Sequence, residues 1–556
     1  MYARLLGAFA LASLFAGGAQ AASDAPSGYT KCAQNTGATC SFSGTRSVAL
    51  GKSGSFVYGT FTNSVACSSS NFPSNTFASS AWCSYAGTTT SSSSSVASSS
   101  VASSSSSKSS SSVASSSSSV ASSVASSSSS SVVSSSSSSS KSSSSSVASS
   151  VSSDPYVTGC GTETSNLTAS KVIYVTPSAS SSGAGTSFSA PMSLSAALSS
   201  VSAGQMVLLQ PGTYSIPYTA GAKNTITLSQ SGSSSAKIYL VAANCGRAKI
   251  DFQWPDKTWL QDSYGFYLTG NYWYFKGIDI TRAGYQGTYV TGANNTFENV
   301  AFYNNRNSGL EINKGGSYTK VINVDAYNNY DPKKNGSMAD GFASKQTQGP
   351  GNFFYGCRAW NNSDDGFDTF DSPEAVTIEK SWAFSNGINL WNDSAFAGNG
   401  NGFKLGGNSA VQRNVIKNSV AFGHPGKGFD QNNNTGGVTL YNNTGYKNKI
   451  NFSWGGTLAS GEKNTLKNNA SLSGTSADVI ANSTSTNNTW NSIATASSDF
   501  ASVDTSLATA ARNADGTLPN TALFRLSSSS NLVDKGVSVG ISYKGAAPDL
   551  GAFELK

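Results

Sequence analysis

The chain has 556 residues, a formal net charge of +7, seven cysteines and a single histidine. That length allows two or three domains. With one histidine and no CxxC pair, the sequence disfavours a zinc centre or a redox centre. The modest positive charge suits a polyanionic partner, but an excess of this size is commonplace, and we expect no nucleic-acid partner.

Residues 1–21 have the features of a secretory signal peptide. Arg4 provides the positive charge, residues 5–15 form an apolar core, and Ala19-Gln20-Ala21 places small residues at a cleavage site. No later apolar run reaches the roughly 18 residues that a membrane-spanning helix needs. We therefore expect a secreted, extracellular protein without a membrane anchor.

Residues 87–153 consist almost entirely of serine, interrupted by Val-Ala pairs, Lys108 and Lys141. Such a segment has too little apolar surface to fold, so it is predicted to be a disordered polyserine linker. It separates a small module at 23–86 from a large domain at 154–556.

The module at 23–86 contains four cysteines: Cys32, Cys40, Cys67 and Cys83. A domain this small needs covalent cross-links, so two disulfides are expected within a small β module. Its aromatic residues, spaced as in short strands, include Phe42, Phe56, Tyr58, Trp82 and Tyr85. Exposed rings would make it a carbohydrate-binding module for plant cell-wall polysaccharide; alternatively, the rings form its core. The sequence leaves open how Cys160, Cys245 and Cys357 pair.

The domain at 154–556 is rich in Gly, Asn, Thr and Val, which predicts an all-β fold with one short capping helix within 191–201. Two motifs recur in it. The first combines a small residue, an aromatic residue, any residue and Asn, at 301–304, 326–329, 359–362, 383–386 and 445–448, with His424 in the Asn position at 421–424. The second is Gly-Phe, at 341–342, 366–367, 402–403 and 428–429.

The spacing of the motifs indicates a right-handed parallel β-helix. Gly341 and Gly366 are 25 positions apart, and Gly402 and Gly428 are 26 apart, which is the length of one coil. Stacked asparagines would form a ladder at a tight corner, and stacked aromatic rings would fill the interior. His424 is interpreted as a rung of the ladder.

Equivalent residues of successive coils lie about 4.8 Å apart and form columns along the helix axis. The residue before each Gly-Phe motif is Asp340, Asp365, Asn401 or Lys427. The residue after each motif is Ala343, Asp368, Lys404 or Asp430. With Asp364, four carboxylates thus fall on two adjacent coils and Lys404 falls on the next coil.

Close carboxylates raise one another's pKa unless a cation neutralises them, and a flexible all-oxygen site suits Ca²⁺ better than Mg²⁺. The cluster therefore predicts a calcium site. Two simpler explanations compete with it, because Asp-Gly pairs are ordinary turn formers and solvated carboxylates need no metal.

Lys404 could supply the base for β-elimination from a uronate polymer. The C5 proton of a uronate becomes acidic when a cation neutralises the neighbouring carboxylate and the developing charge. Nearby Ca²⁺ and partial burial would both lower the pKa of Lys404 and prepare it to accept that proton. The alternative is a structural salt bridge from Lys404 to Asp368 or Asp430.

Most of 154–556 resembles polysaccharide lyase family 9, the parallel β-helix pectate lyases. The matching segments are ADGFA at 339–343, WNNSDDGFD at 360–368, GNGFKLGG at 400–407 and GFDQNNN at 428–434. The resemblance implies Lys404 as the base and a calcium site formed by Asp340, Asp364, Asp365, Asp368 and the carbonyl of Gly341. It also implies cleavage of polygalacturonate to 4,5-unsaturated oligogalacturonides. Residues 547–554 resemble the final segment of many β-helix polysaccharide enzymes, which packs back onto the coil.

Three further cations, Lys345, Lys427 and Arg306, are candidates for binding substrate carboxylates, although each could be an ordinary surface charge. Two other functions also suit a β-helix: a lyase or hydrolase for another uronate glycan, and a non-catalytic glycan-binding protein. A hydrolase would need two carboxylates that flank a glycosidic bond, and it would leave Lys404 without a role. We expect a monomeric enzyme.

Overall fold

The computed structural model describes residues 25, 29–52, 55–72, 80–86, 167–180, 183–243 and 246–555. These residues fall into two compact units, one within Met1–Ser140 and one within Lys141–Lys556. The predicted signal peptide, the predicted linker, Cys160 and Cys245 lie outside the described residues. No helix in the described ranges is both long and apolar enough to cross a bilayer.

The first unit contains an antiparallel sheet of order β1-β4-β2-β3. Its strands are β1 (Tyr29–Gln34), β2 (Thr39–Lys52), β3 (Ser55–Ala66) and β4 (Trp82–Ala86), and a 3-10 turn spans Ser69–Asn71. Both expected disulfides are present, Cys32–Cys40 and Cys67–Cys83. Cys40, Cys67 and Cys83 are buried in its small apolar core, so the cross-links supplement a core of limited size.

The second unit is a right-handed parallel β-helix, as predicted. Its strands are two to five residues long, and each pairs in parallel with the equivalent strand of the next coil. One short helix, α1 (Leu194–Ser200), lies within the expected range and buries Leu194, Ala197 and Leu198.

The strands of the β-helix form three sheets within the described residues. Sheet 1 contains β5 (Lys171–Val175), β6 (Gln205–Leu209), β9 (Ile238–Ala242), β12 (Trp273–Lys276), β15 (Thr296–Glu298), β18 (Lys320–Ile322), β21 (Phe353–Tyr355), β24 (Thr377–Glu379), β27 (Val415–Lys417), β30 (Thr439–Tyr441), β33 (Asn464–Lys467) and β35 (Ser483–Thr486). Sheet 2 contains β7 (Gly212–Ser215), β10 (Ala248–Asp251), β13 (Ile278–Thr281), β16 (Ala301–Tyr303), β19 (Asp325–Tyr327), β22 (Arg358–Trp360), β25 (Trp382–Phe384), β28 (Val420–Phe422), β31 (Thr444–Tyr446) and β34 (Ala470–Leu472). Sheet 3 contains β8 (Ile226–Leu228), β11 (Phe266–Leu268), β14 (Thr288–Val290), β17 (Leu310–Ile312), β20 (Phe342–Ser344), β23 (Phe367–Asp368), β26 (Phe403–Lys404), β29 (Lys427–Asp430) and β32 (Ile450–Ser453).

Stacked phenylalanines fill the interior behind sheet 3. Successive ring centroids are 4.8 to 5.0 Å apart along the stack of Phe342, Phe367, Phe403, Phe429 and Phe452. The first four belong to the Gly-Phe motif, so the predicted interior position is correct for this motif. Glycine precedes them because neighbouring coils approach closely: a Cβ on Gly366 would lie 2.6 Å from the carbonyl oxygen of Gly402.

The aromatic residues of the other motif face outwards in the units from 326–329 onwards, which corrects the prediction that they fill the interior. Phe302 of the unit at 301–304 does lie in the interior core. Ala359 and Ala383 belong to the interior core, whereas Trp360 and Phe384 stack outside it with ring centroids 5.5 Å apart. The interior is narrow at this level, since a Cβ on Gly366 would meet the Cβ of Ala383 at 2.9 Å. Only small residues fit there, and side-chain alternation then directs the next residue outwards.

The C-terminal segment covers this outer stack. Phe500, Phe524 and Leu550 form one apolar cluster with Phe384 and Phe422. The backbone N–H of Ala552 donates to Oγ1 of Thr444, and that of Gly551 donates to the carbonyl of Asn468. Residues 547–554 therefore pack back onto the coil as expected. Two further 3-10 turns, Ser497–Asp499 and Thr505–Thr509, precede them.

A ladder of buried amides follows the corner after sheet 2. Asn329 Nδ2 donates to Asn362 Oδ1 at 2.8 Å, and Asn362 Nδ2 donates to Asn386 Oδ1 at 2.9 Å. His424 continues the ladder as predicted, with Nε2 3.1 Å from Asn386 Nδ2 and Nδ1 2.7 Å from Asn448 Oδ1. Burial lowers the pKa of His424 to about 4, so the ring is neutral at neutral pH.

The first rung of the ladder is Asn305, not Asn304 as the motif alignment implied. Tyr303 pairs with Tyr327, which shifts the unit at 301–304 by one position. Asn305 Nδ2 then donates to Asn329 Oδ1 at 3.0 Å. Asn304 has a φ of 55° and occupies the left-handed turn position that asparagine tolerates.

Replacing His424 tests its role as a ladder rung. We expect His424→Asn to stay within about 1 kcal/mol of the wild-type free energy of unfolding, because an amide can occupy the same position. His424→Ala should lose about 1–3 kcal/mol for each buried group left unpaired, on Asn386 and Asn448. Urea unfolding of both variants at pH 7 measures the difference.

The same variants carry a pH test. The folded pKa of about 4 lies below the ordinary value of 6.5, so stability from His424 is full above pH 6.5 and falls as the pH drops towards 4. His424→Asn should lack this acid-dependent component. Equal stability of wild type and His424→Ala across this range would contradict the ladder role.

Candidate active site

Sheet 3 presents charged side chains outwards on consecutive coils. Ala343 pairs with Asp368, Asp368 with Lys404, and Lys404 with Asp430. The preceding phenylalanines point into the core, so the next residue of each strand faces the opposite side. The column that was aligned from the sequence is therefore the column in the structure.

Three carboxylates meet beside this column. Asp340, Asp365 and Asp368 each place one carboxylate oxygen within 4.8 Å of the others, and all three residues are buried. Asp340 and Asp365 each stand directly before the glycine of a motif, on coils that pair through β20 and β23. The stacking of the coils thus brings like charges together.

Asp364 lies beside these three carboxylates and accepts hydrogen bonds from two loops. Its Oδ2 accepts the backbone N–H of Met338 at 2.8 Å, and its Oδ1 accepts that of Asn399 at 2.6 Å. Met338 precedes β20, and Asn399 belongs to the insertion before β26. Motif spacing could not reveal these contacts because both donors are backbone groups of inserted loops.

Two buried lysines neutralise part of the negative charge. Lys404 Nζ is 3.0 Å from Asp365 Oδ2 and 3.6 Å from Asp368 Oδ2. Lys345 Nζ is 2.8 Å from Asp340 Oδ2 and 3.1 Å from Asp368 Oδ2. Lys404 thus forms the salt bridge to Asp368 that the alternative interpretation predicts, with Asp365 as a closer partner.

Burial and attraction to the two lysines together separate the pKa values of the carboxyl groups. Burial raises the pKa of Asp340 to about 7 despite the attraction of Lys345. Burial and the charge of Asp365 hold the pKa of Asp364 well above its ordinary value. Burial also opposes ionisation of Asp368, but attraction to Lys404 and Lys345 outweighs it and lowers that pKa. The two lysines therefore do not fully offset the effect of burial on Asp340 and Asp364.

The same carboxylates control Lys404. Burial lowers the pKa of its ammonium group, but attraction to Asp365 and Asp368 outweighs burial and holds the pKa well above its ordinary range. The prediction that burial helps to lower this pKa is therefore insufficient, because the charges of the chain alone raise it. A neutral Lys404 requires that another cation offset these carboxylates.

Asn401 also contributes to the site, although the sequence reasoning gave it no role. Its backbone N–H and its Nδ2 both donate to Asp365 Oδ1 at 2.9 Å, which orients the carboxylate whose other oxygen meets Lys404. Its position in the column after Asp340 and Asp365 was the available signal.

The structure places the other predicted residues as follows. The carbonyl of Gly341 accepts the backbone N–H of Leu310 at 3.2 Å within sheet 3. Lys427 Nζ lies 3.0 Å from Asp430 Oδ1, and its side chain is 37% exposed. Lys427 is thus a partly exposed cation one coil beyond Lys404.

Neither Lys345 nor Arg306 is a surface charge, so that alternative is wrong for both residues. Each is only 4% exposed. Lys345 is enclosed between two carboxylates of the cluster. The sequence offered a signal for this position, because Lys345 lies two positions after Ala343 and therefore on the same side of the strand. Arg306 donates to the carbonyls of Trp254 and Pro255, so it fixes that loop.

The comparisons with known proteins agree with this architecture. The family model for a Pel9A-like, right-handed β-helix region matches residues 173–488. Pectate lyase L of Dickeya dadantii (strain 3937) is 63% identical over 393 residues, covering 70% of this chain and 92% of that protein. Pectate lyase L of Paenibacillus polymyxa (strain SC2) is 33% identical over 372 residues, covering 62% of this chain and 80% of that protein.

Solved structures show the same similarity. The crystal structure of pectate lyase Pel9A matches with a TM-score of 0.69 at 62% identity, covering 71% of this chain and 98% of that one. A rhamnogalacturonan lyase matches with a TM-score of 0.56 at 28% identity, covering 64% and 97%. The chain therefore belongs to the Pel9A-like right-handed β-helix family.

Proposed function

We propose that this protein is a secreted pectate lyase that cleaves polygalacturonate by calcium-assisted β-elimination, with Lys404 as the base. One observation carries the proposal: Lys404 Nζ lies 3.0 Å from Asp365 on the coil next to a buried carboxylate cluster. The name pectate lyase L of relatives up to 63% identical supports the reaction and the substrate.

The carboxylate cluster fits Ca²⁺. Asp340, Asp365 and Asp368 provide converging oxygen atoms and no nitrogen or sulfur, which is the donor set of a hard cation. Burial raises the pKa of Asp340 and of Asp364 despite the nearby lysines, so a bound cation would stabilise the ionised form of both groups. We therefore propose that these four aspartates hold the ion; the carbonyl of Gly341 is a further candidate ligand.

Calcium, when bound, would neutralise the substrate carboxylate and the charge that develops on it during proton removal. Lys404 then takes the C5 proton, the C4–O glycosidic bond breaks, and a double bond forms between C4 and C5. The leaving oxygen receives a proton from water. In its protonated state Lys404 is held beside the cluster by Asp365, and Asn401 orients the carboxylate that Lys404 contacts.

The salt bridge and the catalytic base correspond to two protonation states of Lys404. While Asp365 and Asp368 retain their full charge, they stabilise the protonated amine of Lys404. Once their charge is offset, burial of Lys404 favours the neutral amine that can accept a proton. High pH should favour activity because it increases the fraction of Lys404 in the neutral form.

We also propose that the chain is exported and that the module at 23–86 binds plant cell-wall polysaccharide. The two disulfides support export, because such bonds persist in oxidising surroundings. Phe42 packs against Tyr85 within the module, but Trp82 is partly exposed. Lys31 Nζ lies 5.2 Å from the Trp82 ring centroid, and this pair suits an acidic sugar.

Lys404 variants test the reaction and the role of the base together. Wild-type protein with polygalacturonate and Ca²⁺ at alkaline pH should show rising absorbance near 235 nm, which a chelator abolishes. Lys404→Ala and Lys404→Arg should both lose about 10²- to 10⁴-fold in rate, because neither side chain can accept the proton.

The arginine variant separates a base from a salt bridge. Arginine keeps the positive charge beside Asp365, so substantial activity of Lys404→Arg would contradict a role as base. Lys320→Ala, which removes an exposed lysine of sheet 1, is the control and should retain full activity. New reducing ends without absorbance at 235 nm would instead indicate hydrolysis.

Calcium affinity should depend on pH through Asp340. Its pKa of about 7 means that Ca²⁺ competes with a proton below neutrality, so affinity should fall as the pH drops from 8 to 6. Isothermal titration calorimetry in two buffers of different ionisation enthalpy should detect proton release near pH 7.

Asp340→Asn should weaken calcium binding and remove the part of this proton release that Asp340 contributes. Asp515→Asn, which alters an exposed carboxylate of the C-terminal segment, is the matched control. Calcium binding that is independent of pH and unchanged in Asp340→Asn would exclude Asp340 from the metal site.

A further inference from the structure

The outward column that holds Asp368 continues towards the amino end of sheet 3. Ala343 pairs with Glu311, Glu311 with Tyr289, and Tyr289 with Tyr267. At about 4.8 Å per coil, Tyr289 lies roughly 14 Å and Tyr267 roughly 19 Å from Asp368 along the axis. The sheet face that carries the charged cluster therefore also carries tyrosines at a distance of several sugar rings.

These tyrosines belong to an aromatic patch, defined as Trp259, Tyr264, Tyr267, Tyr285 and Tyr289. Tyr264 stacks on Tyr289 with centroids 4.8 Å apart, and Trp259 meets Tyr285 edge to face at 5.5 Å. Tyr264 and Tyr289 are buried, whereas Trp259, Tyr267 and Tyr285 keep part of their surface exposed. The buried rings thus hold the exposed rings in fixed orientations.

The exposure of the patch sets it apart from the Phe384–Phe422 end of the outward stack of sheet 2. There, Phe422 packs against Phe524 of the C-terminal segment at 5.4 Å, and Phe384 and Phe422 are almost fully buried. Packing therefore accounts for that end of the stack. In the patch, Trp259 and Tyr285 retain exposed surface on the face of the active site, which suits a ligand that lies along this face.

The chemistry of the patch suits a uronate chain. Aromatic rings of fixed orientation can stack on the apolar faces of pyranose rings. Lys314 is exposed, and its Nζ lies 5.8 Å from the centroid of Tyr289, where it adds positive charge for a carboxylate. A pyranose ring in an extended polysaccharide is about as long as one coil is high, so successive sugars can follow successive coils.

The column leaves a path between the patch and the cluster. Ala343 projects only a methyl group at the coil between Glu311 and Asp368. Glu311 is itself occupied by hydrogen bonds from Gln286 Nε2 at 2.7 Å and Asn313 Nδ2 at 2.9 Å, which disperse its negative charge.

We propose that the aromatic patch is a distal subsite for the galacturonan chain whose scissile bond lies at Lys404. The inference rests on the proposed function. It assigns to Trp259, Tyr267 and Tyr285 a role in binding long substrates, whereas short oligomers at Lys404 would not reach them.

Chain-length dependence tests this subsite. Trp259→Ala and Tyr285→Ala should raise KM for polygalacturonate about three- to tenfold with kcat unchanged, because a remote stacking contact stabilises ground state and transition state equally. Both constants for trigalacturonate should stay at their wild-type values. Trp259→Phe keeps an aromatic ring and should recover most of the affinity, and Tyr543→Ala, an exposed tyrosine of the C-terminal segment, is the control.

Equal losses on trimer and polymer would indicate general damage to the fold and overturn the proposal, as would an unchanged KM for polygalacturonate. Calorimetric Kd values for octagalacturonate in the presence of chelator separate this inference from the reaction. One outcome is that wild type forms no product absorbing at 235 nm, while the Kd for octagalacturonate is higher in Trp259→Ala than in wild type. This outcome would refute the lyase reaction and support the subsite. No binding by wild type, or equal Kd values for wild type and Trp259→Ala, would refute the subsite.

Discussion

The repulsion between carboxylates that are held one coil apart is the constraint on which the active site depends. Strand pairing in sheet 3 fixes Asp340, Asp365 and Asp368 so that their oxygens lie within 4.8 Å of one another. Burial of uncompensated charge is costly, and removal of a compensating partner is strongly destabilising. Lys345 and Lys404 reduce this cost in part, and a divalent cation would remove the remainder.

The same imbalance between carboxylate and lysine charges determines whether Lys404 is protonated or neutral. Its ammonium group is stabilised by the carboxylates that would also ligate calcium, so the ion and the proton on Lys404 oppose each other. Under the proposed mechanism, Lys404 would become neutral only when the metal site is filled. Lys345 lies deeper between Asp340 and Asp368 and maintains the cluster's geometry.

The sequence predicts those features that depend on the coil repeat. The 25-residue spacing of Gly341 and Gly366 is enough to align Ala343 with Asp368, and the next Gly-Phe motif aligns Asp368 with Lys404 across an insertion. The Asn position of the other motif places His424 in the ladder. The motif pattern does not predict which aromatic side chains point inwards, because the width of the coil's interior decides this. Trp360 and Phe384 point outwards for that reason.

The coil repeat also cannot predict which of two opposing effects on a pKa is larger. The pKa of Lys404 depends on whether burial or nearby carboxylates dominate, and that requires distances. The contacts of Asp364 with the backbone of Met338 and Asn399 come from insertions that follow no repeat. The one-residue displacement of the ladder to Asn305 likewise follows from strand pairing rather than from the motif.

A crystal structure with bound calcium, with the ion located by its anomalous scattering at long wavelength, tests the central claim most directly. We expect a peak about 2.3–2.6 Å from oxygens of Asp340, Asp364, Asp365 and Asp368. We also expect Lys404 Nζ to move beyond salt-bridge distance, about 4 Å, from Asp365. A peak outside this cluster, or a Lys404 that still contacts Asp365 at 3.0 Å beside the bound ion, would contradict this claim.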